Sequence, residues 1–314
     1  MMPTNAAIGR QGLRKAVKII AAGVVALVAV SVAGACAALW LAERKLERTV
    51  DVRVVPVPYA RDPQALKFGK YLFESRGCAE CHGADGRGRR FVEDPASGLR
   101  LRSPNITRGA ASVVASYGEA DWVRTIRHGV SPSGRALLVM PSEDYNRLTD
   151  PDFAALVGYV RSLPPQVGEP ALVNLPWMVK ALYGVGAIRD AAEKIDHRRP
   201  PSAPVPIGAT PEHGAYVANM CVGCHGATLA GGRVPGGPPH WPPAANLTPG
   251  EGSVMPRYDS VEKFVAMMRS GIRPDGSAVA RAMPFESLRS MNDVDLNAVY
   301  AYLGTIPARR AGER

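Results

Sequence analysis

Four of the chain's five cysteines lie in two clips of one pattern, Cys78-Ala-Glu-Cys81-His82 and Cys221-Val-Gly-Cys224-His225. Two thiols two residues apart, closed by an imidazole, can hold zinc, form a disulfide, act as a redox dithiol or anchor a haem. Zinc ribbons join two such units over about 15–20 residues, whereas these lie 143 apart. A thioredoxin-type dithiol needs a βαβ setting, and it gives no task to an adjacent histidine. C-x-x-C-H is the signature of covalent haem c attachment. The spacing suits that chemistry. Thioethers from Cys78 and Cys81, and from Cys221 and Cys224, hold a porphyrin edge, and the following His82 or His225 is carried beneath the iron. The sequence therefore predicts two covalently bound haem c groups.

Each iron has a second axial position, and ten methionines have to be sorted for it. Met140 and Met283 are the pair related by the same 143-residue offset, each 58 residues after its histidine and each followed by proline. They are the predicted distal ligands. Met267, Met268 and Met291 fall on helical faces and read as core, and Met220 has Gly77 as its counterpart. His128 is matched by Ser270, so it reads as a surface or propionate-side residue; His197, His213 and His240 are unmatched as well. His/Met ligation raises the reduction potential and closes the iron to substrate. A proximal histidine also needs its other ring nitrogen oriented. Pro95 and Pro238, thirteen residues after their histidines, are candidates for that loop. Asn105 and Asn246 occur in matched N-x-T triplets, which favours a structural turn over glycosylation. Arg135 falls opposite Ser277, which argues against a shared propionate role.

The elements that position these groups occur twice. "DWVRTIRHGVSPSGR" (121–135) answers "KFVAMMRSGIRPDGS" (263–277), and "LTDPDFAALVGYVRSLPP" (148–165) answers "MNDVDLNAVYAYLGTIPA" (291–308). Each copy shows apolar spacing of helical period before its clip (Leu66, Tyr71, Leu72; Tyr216, Val217, Met220). The same period recurs over 120–128 and 260–270, and again over 151–163 and 293–303. Each clip is expected at the end of its first helix and each Met-Pro in a loop before the last. No sustained alternation is seen, so strands are not expected. Residues 167–205 belong to neither copy. They contain "LPWMVKALYGVGAIRDAAEKI", which reads as an amphipathic helix that packs as a linker or faces a membrane or a partner.

Residues 19–42 carry no charge, and as a helix they would extend roughly 36 Å, enough to cross a hydrocarbon core. Arg10, Arg14, Lys15 and Lys18 precede them without an acidic residue, which predicts a cytoplasmic N-terminus and export of the chain beyond the span. Trp40 sits where an interfacial aromatic would. "AGAC" (33–36) offers a rival cleavage site and a weak lipidation site at Cys36. The net charge of +10 is concentrated here: the first sixty residues hold eight basic against three acidic side chains. The remainder is nearly balanced and no basic stripe with aromatics is present, which speaks against nucleic-acid binding. The predicted organisation is a cytoplasmic tail (1–18), a transmembrane helix (19–42), a linker (43–60), a first haem domain (61–166), a second linker (167–205), a second haem domain (206–308) and a tail (309–314).

The chain resembles the membrane-associated cytochrome c subunits of bacterial periplasmic alcohol, gluconate and related dehydrogenases. The matching words are "GKYLF…CAECHG", "SPNIT", "GEADWVRTIRHGVSPSGR", "MPSEDYNRLTDPDFAALVGYVRSLPP" and "MPFESL…DVDLNAVYAYLGTIP", and the linker "NLPWMVKALYG" is similar too. The resemblance implies an all-α protein of two tandem class I cytochrome c domains. By it His82, Met140, His225 and Met283 are axial ligands, and Cys78, Cys81, Cys221 and Cys224 are attachment sites. It implies an electron carrier rather than an enzyme. This carrier sits in the inner membrane with periplasmic haem domains, between a dehydrogenase or quinol-linked donor and a cytochrome or oxidase acceptor. Arg87, Arg89 and Arg90 are candidates for docking an acidic partner. The chain departs from many relatives in having two clips rather than three and an N-terminal rather than C-terminal anchor.

Overall fold

A computed structural model describes residues 5–237 and 240–314 of the chain, with side chains from Lys15 onward. The contacts divide it into two units. The first holds α1 (Asn5–Glu47) and α7 (Trp177–Gly184). Within α1, Lys15–Glu47 has a mean hydropathy of 2.5 over its most apolar window, long and apolar enough to cross a membrane.

The second unit contains both repeats. The first copy comprises α2 (Pro63–Ser75), the clip helix α3 (Cys78–His82), strands β1 (Arg90–Asp94) and β2 (Leu99–Arg102), α4 (Glu119–His128), α5 (Ser142–Tyr145) and α6 (Asp150–Ser162). Then come β3 (Leu172–Asn174) and α8 (Ala191–Lys194). The second copy comprises α9 (Pro211–Val217), a 3-10 turn at Ala218–Cys221, the clip helix α10 (Val222–His225), α11 (Val261–Ser270), α12 (Phe285–Leu288) and α13 (Asp293–Leu303).

Each copy is built on one crossing, of α2 on α6 and of α9 on α13. Glycine permits it. A Cβ on Gly69 would stand 2.0 Å from the Ala155 carbonyl oxygen, and one on Gly214 would stand 1.9 Å from that of Ala298. The helices start where short polar side chains accept the first free amides: Asp62 from Ala65, Thr149 from Asp152, Thr210 from His213 and Asn292 from Asp295. Leu72, Phe73, Trp122, Phe153 and Leu156 centre the first core. Val217, Phe264, Met267, Met268, Met291 and Leu296 centre the second; Met267 and Met268 lie on α11 and Met291 in the turn before α13 rather than on a helix, and all three are core.

Three expectations need correction. The first copy contains an antiparallel sheet, β1-β2-β3, where no strand was expected. Its turn is nucleated by Asp94, whose carboxylate accepts the Ala96 amide and the Ser97 hydroxyl while Gly98 adopts φ +76°. The alternating "LRLR" of β2 is too short to register as a sustained period, and neither β1 nor β2 contains a fully buried residue. The clip of the first copy is not the end of α2: Gly77, at φ +87°, breaks the chain so that α3 starts afresh. The linker helix is also shorter than expected. Residues 185–190 interrupt it, with Gly186 at φ +79°, and leave α7 and α8 as separate pieces.

Candidate haem-attachment sites

In α3 a single helical turn carries Cys78, Cys81 and His82, and all four clip cysteines are free thiols. Burial pushes the Cys78 thiol up to about 12, with Cys81 adding to it; burial likewise pushes Cys221 up to about 12, helped by Asp144. Burial raises Cys81 and Cys224 in the same direction. These are neutral thiols, unlike the electropositive, thiolate-stabilising surroundings of a reactive dithiol.

The histidines are oriented alike. His82 Nδ1 lies 3.2 Å from the Pro104 carbonyl oxygen, and His225 Nδ1 lies 2.8 Å from that of Ala245. A carbonyl can only accept, so Nδ1 carries the proton and Nε2 keeps its lone pair for a metal. Burial lowers both imidazoles below their ordinary range, which favours the neutral ligand form, against a smaller upward pull from the carbonyl. The orienting loop therefore lies later than expected. Pro95 sits in the β1–β2 turn and does not meet His82, while Pro238 lies outside the described residues.

The asparagines explain why the carbonyls stand there. Each immediately follows the accepting residue and is almost fully buried. Asn105 Nδ2 donates to the carbonyls of Ala110 and Gln166, while its Oδ1 accepts the Thr107 amide and hydroxyl. Asn246 repeats this with Glu251, Arg309 and Thr248. The N-x-T triplet is a buried turn that locks the preceding carbonyl under the imidazole.

Met140 and Cys78 both pack on the margin of the first core, and Met283 and Cys221 on the margin of the second. The proline after each has a clear task. Pro141 (φ −80°, ψ 65°) and Pro284 (φ −80°, ψ 73°) occupy inverse γ-turns. The turns are closed by Ser142 N to Met140 O and Phe285 N to Met283 O, both at 2.9 Å. The turn fixes the methionine backbone ahead of α5 and α12.

These groups fit haem c. Each copy supplies two neutral thiols, an imidazole with free Nε2 and a thioether on the same core margin. The first copy adds the Trp122 indole N–H, a buried donor with no acceptor among the described residues. A haem carboxylate is an acceptor of the right kind. Among the described residues no three His, Cys, Asp or Glu side chains converge as a zinc cage would require. His128 pairs with His197 instead, Nδ1 to Nδ1 at 3.0 Å.

What the sequence did not disclose is how the copies meet. Tyr71 OH donates to Asp295 Oδ2 at 2.6 Å and accepts the Asn292 amide at 3.2 Å. Tyr216 OH donates to Asp152 Oδ2 at 2.5 Å and accepts the Thr149 amide at 3.2 Å. Tyr71 and Tyr216, Asp152 and Asp295, and Thr149 and Asn292 are repeat-equivalent, so the interface is reciprocal, as in an isologous dimer. The clips take part. Ser287 Oγ donates to Glu80 Oε2 of α3 at 3.0 Å, and the Gly223 amide of α10 donates to Asp144 Oδ1 at 3.0 Å. Each clip helix thus lies against the short helix after the other copy's Met-Pro turn.

One feature breaks the symmetry. Asp295 also binds Arg76 at 2.6 Å and His213 Nε2 at 2.8 Å, all three side chains being buried. Burial would push its carboxyl up; Arg76, Tyr71 and His213 outweigh this and hold it below the ordinary aspartate value.

Comparison with known proteins agrees with both copies. Residues 64–160 and 209–303, together more than half of the chain, match the family described as cytochrome c oxidase, cbb3-type, subunit III. The chain is 24% identical over 288 residues to the fructose dehydrogenase cytochrome subunit of Gluconobacter japonicus, covering 81% of this chain and 55% of that protein. It is 39% identical over 97 residues to the cytochrome c subunit of the quinone alcohol dehydrogenase of Gluconacetobacter polyoxogenes, covering 29% of this chain and 20% of that one. It is 31% identical over 117 residues to the CcoP subunit of the cbb3-type oxidase of Helicobacter pylori, covering 37% and 34%. The chain thus spans about half the length, or less, of the curated relatives it matches. With the helical frame of both copies matched, the chain belongs to the family of cytochrome c oxidase, cbb3-type, subunit III, and membership of this cytochrome c family implies covalently bound haem c.

Proposed function

We propose that the chain is a membrane-tethered dihaem cytochrome c. It passes single electrons between a periplasmic dehydrogenase, or quinol, and a downstream respiratory acceptor. The observation that carries this reading is the matched set in both copies: two neutral thiols, an imidazole fixed through Nδ1, and a methionine held by an inverse γ-turn. Haem c supplies a one-electron couple at its iron. The protein does the rest. Cys78 and Cys81, and Cys221 and Cys224, would tie the group down; His82 and His225 would offer Nε2, and Met140 and Met283 would offer Sδ as the second ligand. The buried asparagine turns hold the carbonyl that orients each imidazole, which would keep Nε2 aimed at the iron. Two methionine-closed sites leave no open position for peroxide or another substrate, which sets this reading apart from a dihaem peroxidase.

Residues 19–42 form the span, with the N-terminus cytoplasmic and residues 61–166 and 206–308 as periplasmic haem domains. The similarity over 81% of the chain to a fructose dehydrogenase cytochrome subunit favours a dehydrogenase as donor. The match to CcoP favours a second reading, as the electron-entry subunit of an oxidase. Gentle solubilisation of host membranes, isolation by the haem absorbance and mass spectrometry of what co-purifies tests both. A stoichiometric flavin- or quinone-dependent dehydrogenase supports the first, and oxidase subunits support the second. The dihaem reading is tested on the same sample: a pyridine haemochrome assay yields two haems per chain, and a high-spin ferric spectrum would overturn the His/Met assignment.

A further inference from the structure

We infer that α7 is a membrane-surface helix, lying in the headgroup layer beside the exit of α1 with its apolar face turned to lipid. This inference rests on the reading of α1 as the span. The seat of α7 is well defined. A Cβ on Gly184 would stand 2.1 Å from the Ala38 carbonyl oxygen and 2.7 Å from the Ala42 amide, and both alanines are buried there. Lys45 Nζ donates to the Tyr183 carbonyl at 3.1 Å and lies 4.1 Å from the centroid of its ring; Lys180 pairs with Glu43 at 3.2 Å.

These contacts fix which face is turned away. Trp177, Met178, Leu182 and Val185, at helical spacing, are 61%, 58%, 43% and 59% exposed. On α1, Leu41 next to the seat is 42% exposed, and Trp40, at the same depth on the far face of the helix, is 61% exposed. Large apolar side chains left exposed at one depth on both helices mark a surface that something covers. Continuity identifies the cover. Ala38 and Ala42 end the uncharged run from Ile19, and Glu43, Arg44 and Lys45 come directly after it. The patch therefore lies at the depth where hydrocarbon gives way to headgroups. Tryptophans with flanking cations suit that layer. A protein partner would have to cover a surface continuous with the lipid-facing side of the span, so lipid is the occupant the geometry selects.

The test uses the full haem-loaded chain in vesicles of phosphatidylethanolamine and phosphatidylglycerol, with the haems kept reduced. In a Cys36→Ser background, single nitroxides are placed at Met178→Cys, Val28→Cys and Val167→Cys. The readout is collision with oxygen against collision with a water-soluble nickel chelate. The expected result is a several-fold higher oxygen-to-nickel ratio at Met178 than at Val167, with Val28 higher still. Substituting Trp177→Glu and Leu182→Glu together should return the Met178 label to the Val167 ratio. If Met178 reads like Val167 while Val28 reads as hydrocarbon, α7 does not lie on the membrane and the inference is overturned, with the span intact. If Val28 also reads as water, the span itself is refuted, and this inference falls with it.

Discussion

Asp295 and Asp152 occupy equivalent positions in the two copies, yet their removal should differ sharply. Asp295 is 3% exposed and faces the buried guanidinium of Arg76, the phenol of Tyr71 and the imidazole of His213. In Asp295→Asn the amide keeps the shape and can still accept one hydrogen bond. Arg76, itself 6% exposed, is then left as a buried charge without a counter-ion. Breaking such a pair from one side costs about 3–5 kcal/mol. Asp152 accepts the hydroxyl of Tyr216 but faces no comparable buried cation among the described residues. Asp152→Asn turns one hydrogen bond to a carboxylate into a neutral one, a loss of about 1 kcal/mol. For a unit of this size each kcal/mol moves the midpoint by roughly 2–4 °C. The detergent-solubilised, haem-loaded chain should therefore lose roughly 10 °C with Asp295→Asn and about 3 °C with Asp152→Asn, read by calorimetry. Equal shifts would refute the reasoning, because they would mean the Arg76 charge is not desolvated. The pair can also be removed whole: Arg76→Met with Asp295→Asn should recover most of the loss, since no lone charge then remains. The pH dependence has a definite sign. The folded aspartate is held below its ordinary value, so its contribution is complete above about pH 4 and is lost as the pH falls through the depressed folded value.

Four further outcomes rest on the same geometry. Asn105→Ala or Asn246→Ala removes several buried hydrogen bonds at once and should destabilise the chain by about 2–4 kcal/mol in chemical denaturation. Gly69→Ala and Gly214→Ala drive a Cβ into a backbone carbonyl, and each should cost about 1–3 kcal/mol by thermal denaturation. A silent result at either glycine would mean the crossing is looser than described. Met140→His should shift one of two redox transitions to lower potential and leave the other in place, as seen by spectroelectrochemical titration. Burial, reinforced by His197 and by Arg127 and Arg124, lowers His128 to about 4. Its folded value lies below the unfolded one, so protonation favours unfolding. Stability should drop as the pH falls from about 6.5 toward 4, and His128→Asn should flatten that slope between pH 7 and 5.

The parts of the site that arise from chain-local chemistry were legible in the sequence. The clips, the Met-Pro pair and the asparagine triplets are each defined within a few residues, and repetition at a constant offset separated them from chance. The three main helices of each copy were legible for the same reason, because periodic apolar residues and caps are local signals; α9, with seven residues, is the shortest of them. The orienting carbonyl was not, because any residue can supply one. Pro104 and Ala245 share no side-chain chemistry, and they are marked only by the asparagine after them. The strand pair escaped because β2 has four residues, too few to show a period. The reciprocal interface did leave a trace, in the tyrosine kept in "GKY" and "GAY" and the aspartate kept in "DPD" and "DVD". Read along one copy these look like a surface phenol and a helix-capping carboxylate. Only the pairing of copies reveals the bond between them.

That reciprocity bears on why two copies share one chain. Each clip helix is completed by the other copy: α10 gives its Gly223 amide to Asp144, and α3 places Glu80 against Ser287. A single copy would expose these groups to water, together with the buried tyrosine, aspartate and arginine around Asp295. The clip helices are thereby placed at the shared boundary, rather than at opposite ends of two independent domains. In the proposed relay that placement would hold the two haems at a fixed mutual position without depending on a flexible linker. The asymmetry fits the same picture. An exchange between identical sites has no preferred direction, and the buried Arg76–Asp295–His213 cluster, present on one side of the pseudo-twofold only, gives the two sites different electrostatic surroundings. Arg76→Met combined with Asp295→Asn should therefore change the separation between the two reduction potentials even where stability recovers. An unchanged separation would confine this cluster to holding the copies together.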